Sequence, residues 1–466
     1  MSRLSSLCLL TTMISVIGYE LFLPNSVLVF IAGIALALFF LMQRNYINKL
    51  GKVIIFIALL SAVLLIWIAE PLITLERAVN RAAFFAAFLA ALAFIRLAAQ
   101  RSIIVQRCGQ LVVSQPPSRR YGIITMSSYL FGNVLNFGVI HLLGMMIEKG
   151  NSLQAAGGKL RVQDARRKRM SLALLRGFAL LPLASPFSIA LALMLANMPQ
   201  LQWVPLMLMG GGAAILIFFI GWLLDYLQNP VPAKIKATAV VDVEQSVVSW
   251  RDALPFLAII IGIFILSISI ENLADVSLSV AILIVFPVSG LIWFVIENLY
   301  VSKRPVMGQL VKDIPNVMND LRSEIAIISS ACFFGAIMTD VIPKELVMVL
   351  LETLDLSEVF LSLVLCVLVA AIAHFGISPF ISATFLASAL APLLVGKYSP
   401  EMIALGLISG WSLATSGSPV SIAALIVSAI NGQSSQVLAY KWNALYSIIS
   451  LLVMCLWIVL LAIFFS

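Results

Sequence analysis

The chain has 466 residues, of which 62% are hydrophobic and only 11% are charged, and its formal net charge is +8. Soluble domains average about half apolar and about a quarter charged residues, so this composition excludes an ordinary soluble protein and indicates one that lies in a bilayer. The positive charge does not indicate nucleic-acid binding, because basic residues gather in the cytoplasmic loops of membrane proteins.

Eleven apolar stretches reach or approach the roughly 20 residues that a membrane-spanning helix needs. The first follows Arg3 as a signal sequence would, but it lacks a clear cleavage site, so we interpret it as a retained helix. The sequence therefore predicts an all-α polytopic membrane protein with eleven transmembrane helices. In chain order they are residues 5–23, 26–43, 53–69, 78–95, 170–198, 203–226, 253–270, 276–299, 323–341, 401–430 and 441–465.

Two further apolar stretches, residues 119–148 and 357–395, each have a polar or glycine-containing break near the middle. The breaks read FGNVLNFG at 131–138 and AHFGISPF at 373–380. Irregular backbone at membrane depth is tolerated only where protein or water covers it. Both stretches are therefore predicted to be re-entrant hairpins. The segments before them, 99–113 and 343–354, are too polar to span and are predicted to lie flat at the surface.

The distribution of basic residues supports this layout. With a cytoplasmic N-terminus, only Arg77, Lys344 and Lys397 fall in outer loops, while Arg81 and Arg176 lie within spans. A hairpin that crossed the membrane would exchange the sides of all later loops and weaken the bias. We therefore predict eleven crossings, an external C-terminus and two hairpins that enter from opposite sides. A bacterial cytoplasmic (inner) membrane is the expected location.

A repeated segment relates the two halves. RGFALLPLASPFSIA at 176–190 aligns without a gap on SGWSLATSGSPVSIA at 409–423, so that Ser185 falls on Ser418 and Ser188 on Ser421. Each copy follows a hairpin, and the copies have opposite predicted orientations, which indicates an inverted repeat. The predicted divisions are an N-terminal helix at 1–25, a first repeat at 26–230, a cytoplasmic linker at 231–252 and a second repeat at 253–466.

Proline inside a helix removes a backbone hydrogen bond and clashes with the preceding turn. Pro182 and Pro186 therefore predict a break in the helix at 170–198, and Gly417 and Pro419 predict one in the helix at 401–430. Unwound carbonyls suit a sodium ion, and a helix N-terminus suits an anion. A packing kink is the alternative for either break alone. Two inverted copies opposite hairpin breaks favour a binding site.

The candidate site residues are polar groups at the hairpin tips and helix breaks, together with one intramembrane arginine. For Arg176 the alternative is a side chain that extends to the cytoplasmic surface, and for His141 and His374 the alternative to proton carriage is a structural role. The predicted solute-binding residues are Asn133, Asn136, Arg176, Ser185, Ser188, His374, Ser378, Thr384, Ser418 and Ser421. The predicted sodium ligands are Asn136, Ser185, Ser378, Thr415 and Ser418.

No aspartate or glutamate falls deep inside a predicted span, which favours sodium coupling, or no coupling, over a proton relay through carboxylates. Five widely spaced cysteines form no CxxC pair, so they indicate neither a metal site nor a disulfide framework. An enzyme is not indicated, because the chain has two histidines and no evident nucleophile–base pair. We expect no cofactor apart from Na⁺ as a coupling ion.

This architecture resembles the ion transporter superfamily, which includes divalent anion:sodium symporters, citrate carriers, arsenite permeases and the large membrane subunits of TRAP transporters. The resemblance runs from about residue 26 to the end and places VLN at 134–136 and ISP at 377–379 at the hairpin tips. TSGSP at 415–419 resembles the break after the second hairpin. The resemblance implies that tips and breaks bind solute and sodium, and that a transport domain moves like an elevator against a scaffold.

The sequence thus predicts a secondary active transporter for a small, carboxylate-like anionic solute, coupled to sodium. One alternative is a TRAP-like large membrane subunit that needs a soluble solute-binding protein. Another is an exporter of an uncharged species or a toxic oxyanion. The expected partners are membrane lipid, the solute and a second copy in a homodimer, and no nucleic acid.

Overall fold

The structure, a computed structural model, describes residues 2–22, 24–68, 70–154, 156–229, 250–301, 306–341, 349, 353, 356–391 and 398–465. Its helices in the first half are α1 (Ser2–Leu21), α2 (Ser26–Gln43), α3 (Lys49–Ser61), α4 (Pro71–Ala99), α5 (Ile103–Val113), α6 (Pro117–Leu135), α7 (Gly138–Gly150), α8 (Leu160–Phe178), α9 (Leu181–Ala184), α10 (Ile189–Asn197) and α11 (Trp203–Gln228). Those in the second half are α12 (Leu254–Ala274), α13 (Leu278–Ile296), α14 (Val306–Asp320), α15 (Arg322–Val341), α16 (Glu358–His374), α17 (Pro379–Leu390), α18 (Pro400–Gly417), α19 (Ile422–Asn431) and α20 (Ala444–Phe465).

Eleven helical stretches among the described residues are long and apolar enough to cross a membrane. They match the eleven predicted stretches one for one in chain order, from Arg3–Leu21 to Ala444–Phe464. The prediction of an all-helical membrane protein with about eleven apolar helices is therefore confirmed. Most of the linker at 231–252 and of the surface segment at 343–354 lies outside the described residues.

Two helices are buried on every side. In α4 every residue from Ala82 to Ile95 is buried, and α1, α2, α13 and α15 pack around it. In α18 every residue from Met402 to Gly417 is buried, and α11, α16, α17 and α20 pack around it. A helix that is apolar all round must be covered all round. The other elements are therefore arranged around these two helices.

Glycine allows the closest of these helix contacts. A Cβ atom on Gly177 in α8 would collide with the carbonyl of Thr125 in α6, and one on Gly410 in α18 would collide with the carbonyl of Cys366 in α16. Small residues let helix backbones approach in this way within membranes. Each segment that carries a repeat copy is thus pressed against the first helix of the preceding predicted hairpin.

The predicted hairpins consist of helix pairs joined at residues with positive φ. Asn136 (φ 49°) joins α6 to α7, and Gly376 (φ 95°) lies between α16 and α17. At 1.5 Å per residue, α7 with 13 residues and α17 with 12 are about 20 and 18 Å long. Both are shorter than a hydrocarbon core of about 30 Å. The re-entrant path, the elevator movement and the inverted repeat stay predictions.

Candidate solute-binding site

The two copies of the repeated segment fold in the same way around their breaks. Ser185 and Ser418 both leave the helix with extended backbones, at φ −99°, ψ 119° and φ −89°, ψ 133°. Each backbone N–H donates to the carbonyl four residues earlier, on Leu181 and Ala414, at 3.0 Å in both copies. Both predicted breaks therefore occur at the same place relative to the repeat.

The side-chain hydrogen bonds of the breaks also repeat. Ser188 caps α10 by accepting a hydrogen bond from the N–H of Leu191 at 3.1 Å. Ser421 caps α19 by accepting one from the N–H of Ala424, also at 3.1 Å. A capping serine satisfies one of the orphan amides at a helix N-terminus. The second serine of each repeated hexapeptide is thus a helix cap.

The first serine of each hexapeptide joins the break to the preceding hairpin. Ser185 Oγ donates to Asn133 Oδ1 at 2.5 Å, and Ser418 Oγ donates to the carbonyl of Ala373 at 2.7 Å. Both serines are fully buried. Asn133 and Ala373 precede the tip residues Asn136 and Ser378, so each serine holds its break against the helix that leads into a tip.

A cavity of about 60 Å³ lies where the breaks and tips meet. One water needs about 10–15 Å³ on the same measure, so the space suits a few waters or one small solute. The cavity, which we call the central cavity, brings together seven predicted site residues from both halves of the chain. They are Asn133, Asn136, Ser185, Ser188, Ser378, Thr415 and Ser421.

Three helices begin at the wall of the central cavity. Residues 188–190 open α10, residues 378–380 open α17 and residues 421–423 open α19, and all nine line the space. A helix N-terminus carries about half a positive charge and unpaired N–H groups. No charged side chain is among the described residues that line the cavity. The partial positive charge that these three helix N-termini present to the cavity therefore comes from backbone dipoles and not from a basic side chain.

Most polar side chains in the wall are already engaged. Ser421 Oγ donates to the carbonyl of Thr415 at 2.8 Å, and Thr415 Oγ1 donates to that of Trp411 at 2.9 Å. Asn136 and Ser378 differ, because their side chains have no hydrogen-bond partner within the described part of the chain. The two tip residues thus offer the uncommitted polar groups of the central cavity.

Sequence reasoning missed the aromatic part of the wall. Phe178 and Trp411 both line the cavity, and they occupy equivalent positions of the repeat. Trp411 packs edge-on against Phe380 at 4.7 Å between ring centroids, and Phe178 packs against Phe137 at 5.0 Å. The alignment already paired Phe178 with Trp411. The missed signal was that a bulky ring recurs at one repeat position.

Four predicted site residues do not line the central cavity. Ser418 lies behind the wall, bonded to Ala373. Thr384 is buried in α17, where its hydroxyl donates to the carbonyl of Phe380. His374 is exposed and stacks on Tyr440, with Nδ1 3.2 Å from the tyrosine hydroxyl.

Arg176 is the fourth. Its side chain is buried, with Nε donating to Asn443 Oδ1 at 2.8 Å and with the guanidinium 4.1 Å from the ring centre of Tyr446. Its Nη1 lies 3.3 Å from the hydroxyl of Tyr121. In this geometry the Arg176 side chain neither extends to the surface nor lines the central cavity.

No family model and no curated protein matches the chain. Solved structures of membrane transporters do match it. The YdaH transporter of Alcanivorax borkumensis is 16% identical with a TM-score of 0.60, and the match covers 89% of this chain and 99% of that one. MtrF of Neisseria gonorrhoeae, described as illuminating a class of antimetabolite efflux pumps, is 14% identical with a TM-score of 0.55, covering 89% and 95%. This chain has the fold of a membrane transporter. The likeness does not single out the ion transporter superfamily.

Proposed function

We propose that this protein is a secondary active transporter that moves a small anionic organic solute across the cytoplasmic membrane. The observation that carries the proposal is the convergence of three helix N-termini, those of α10, α17 and α19, on one small cavity. N-terminal amides bind carboxylates without a basic side chain. Discontinuous helices that present such ends to a midplane site are typical of secondary transporters.

Sodium coupling and elevator movement are part of the proposal. The support for sodium is the donor set at the breaks, where neutral hydroxyl oxygens and carbonyls of Ser185, Thr415 and Ser418 lie close to the tips. Unwound segments of this kind coordinate Na⁺ in transporters. The support for elevator movement is that each break is hydrogen-bonded to its own hairpin, so break and tip can move together.

Export is the second candidate. The specific observation is the likeness to MtrF, which is described as one of a class of antimetabolite efflux pumps. The apolar part of the cavity wall, with Phe137, Phe178, Phe187 and Trp411, also suits a ring-bearing solute. The same site would then bind an aromatic anion and release it outward.

The test begins with solute identification on the purified protein. Acetate, lactate, succinate, citrate and benzoate are screened by thermal shift in sodium chloride and in choline chloride. A ligand of the native state raises stability with the logarithm of its concentration over Kd. We expect at least one anion to stabilise the protein, more strongly in sodium. Proteoliposomes with imposed sodium gradients then show whether that anion is taken up or expelled.

Variants of the two uncommitted tip residues decide where the anion binds. Asn136→Ala and Ser378→Ala should each weaken binding by about 1–3 kcal/mol, the cost of an unmade buried hydrogen bond, which is roughly fivefold to hundredfold in Kd. Ser269→Ala is the matched control, because that residue is not in the cavity wall and its hydroxyl donates within its own helix to the carbonyl of Ile265. Unchanged Kd and sodium dependence in both tip variants would reject the proposal.

A further inference from the structure

A second and larger cavity lies outward of the central one along the same helices. From Ala190 in the central wall to Leu195 in this one is five residues of α10, about 7.5 Å. From Leu92 to Phe85 is seven residues of α4, about 10.5 Å. This space of about 230 Å³, which we call the outer cavity, faces the side that the predicted topology assigns to the exterior.

The wall of the outer cavity carries both signs of charge. Its polar lining residues are Glu20, Arg77, Asn80, Arg81, Ser277 and Ser279. Arg77 is already neutralised by Asp340, with 2.9 Å between Nη1 and Oδ1. Within the described ranges the partner of Arg81 is neutral, because its Nη1 donates to Asn197 Oδ1 at 2.8 Å. Among the described residues, no ion pair joins Glu20 to either arginine.

Further polar groups at this wall are uncommitted. The Ser279 side chain is only 3% exposed, and its hydroxyl has no hydrogen-bond partner in the described part of the chain. Asn80 is likewise without a side-chain partner there. A buried hydroxyl normally finds a partner, since leaving it unmade costs free energy. A group that enters the cavity would supply one.

We propose that the outer cavity binds a small amphoteric solute, with its carboxylate on Arg81 and Ser279 and its ammonium group on Glu20. The inference rests on the proposed transport function and refines its solute class from a simple anion to a zwitterion, whose carboxylate supplies the negative charge. A guanidinium binds a carboxylate through charge-assisted hydrogen bonds, and a carboxylate does the same for an ammonium group. The carboxylate end of such a solute also fits the helix N-termini of the central cavity.

The hydrogen bonds of Arg81 connect the outer cavity to helices of the central cavity. Its partner Asn197 ends α10, and Asn197 Oδ1 also accepts a hydrogen bond from Ser388 of α17 at 2.6 Å. Both α10 and α17 begin at the central cavity. A carboxylate bound to Arg81 is therefore connected through a single residue, Asn197, to the C-terminal parts of α10 and α17. The N-termini of the same two helices line the central cavity.

The test uses purified full-length protein and probes that differ in one charge. Calorimetry with glycine, β-alanine, γ-aminobutyrate and δ-aminovalerate covers the separation of the two charges, and butyrate and n-butylamine carry one charge each. We expect one amino acid to bind at least about tenfold more tightly than both single-charge probes, since each charge-assisted contact contributes about that factor. Equal affinity for all probes overturns the proposal.

Four variants test which residues bind the carboxylate and which binds the ammonium group. Glu20→Gln should bring the affinity of the best amino acid down to that of the carboxylate of equal length. Arg81→Gln should abolish binding of both, and Arg81→Lys should retain part of it. If Arg81→Gln does not fold, Ser279→Ala, a smaller change, should weaken carboxylate binding severalfold. Glu76→Gln is the control, because Glu76 has the same charge and lies in α4 but outside the cavity wall.

The outcome separates this inference from the transport proposal. Loss of transport in Asn136→Ala and Ser378→Ala, combined with unchanged amino acid binding in Glu20→Gln, would reject the outer cavity and leave the transporter intact. Selective amino acid binding that depends on Glu20 and Arg81, without any transport, would reject the transport function and leave the outer cavity as a binding site.

Discussion

The Arg176 guanidinium can be buried because contacts with aromatic rings and a hydrogen bond to a side-chain amide replace its hydration. It lies over Tyr446 and bonds to Asn443, whose Nδ2 donates to the carbonyl of Ser416 at 2.8 Å. Ser416 lies two residues before Ser418, where the second break begins. A charge from the first repeat thus stabilises the helix end at the break of the second.

This geometry predicts that Arg176 acts on stability and not on solute affinity. Arg176→Gln loses a charged hydrogen bond and a desolvated cation–π contact, so the free energy of unfolding should fall by about 2–4 kcal/mol. Arg176→Lys should restore only part, because an ammonium group lacks the planar fork. Equilibrium unfolding and solute Kd are both measured. Arg161→Gln, at the exposed start of α8, is the control. Full stability with lost affinity would contradict the prediction.

At this scale the sequence reveals residue type and repetition, but not which partner a side chain meets. The repetition of the hexapeptides predicted that their serines lie at the two helix breaks, and their role in solute binding stays a prediction. The repetition did not predict that Ser185 and Ser418 bond to the preceding hairpin while Ser188 and Ser421 cap the following helix. That difference depends on whether the nearest acceptor or donor belongs to the same helix or to a hairpin distant in sequence.

Among the elements, the pairs α6–α8 and α16–α18 are held by equivalent glycine contacts. The Cβ position of Gly410 lies against the Cys366 carbonyl and Val369, while that of Gly262 on α12 has no atom within 4 Å. Backbone cannot yield as a side chain does, so an added methyl group must push the helices apart. Close contact here is what brings the break of α18 next to its hairpin.

Gly410→Ala should therefore destabilise the protein by about 1–3 kcal/mol, the usual cost of overpacking a core. Gly177→Ala should do the same for the first pair, since its Cβ would meet the Thr125 carbonyl. Gly262→Ala should be neutral, or stabilising by up to about 1 kcal/mol, because alanine is the better helix former. Thermal unfolding of the three variants decides. Equal effects of Gly410→Ala and Gly262→Ala would refute the close-contact account.

Element order was predictable because hydropathy over about 20 residues reports membrane burial directly. Element ends were not: α4 was predicted at 78–95, yet the helix extends from Pro71 to Ala99. The apolar stretch ends at Arg77 and Arg96, but the helix continues past both because backbone hydrogen bonding does not depend on side-chain polarity. The added turns carry Arg77 and Thr74, whose partner Asp340 is on α15, and this contact could not be foreseen from either segment alone.

At the scale of the whole molecule, the positions of the two cavities relative to the membrane depend on the membrane topology of the chain. The central cavity takes residues from both halves, and the outer cavity lies at the ends of α4, α10 and α13 that the charge bias assigns to the exterior. The side of the membrane that each cavity faces follows from how the two hairpins enter the bilayer. The first hairpin is the direct place to measure this, since α6 and α7 are flanked by exposed residues on both sides.

Single introduced cysteines should report a re-entrant first hairpin in intact cells. Ser118→Cys before the hairpin and Gln154→Cys after it should both be protected from an impermeant maleimide and should react once the cells are permeabilised. Gln200→Cys and Asp275→Cys, both exposed on the side predicted to be external, should react without permeabilisation. The unmodified chain sets the background, because Cys8 and Cys455 are half-buried. Labelling of Gln154→Cys but not Ser118→Cys in intact cells would mean that α6 and α7 cross the membrane. Arg77 and Arg81, before the hairpin, share the outer cavity with Ser277 and Ser279, after it, so that result would contradict the predicted layout of the crossings around this cavity.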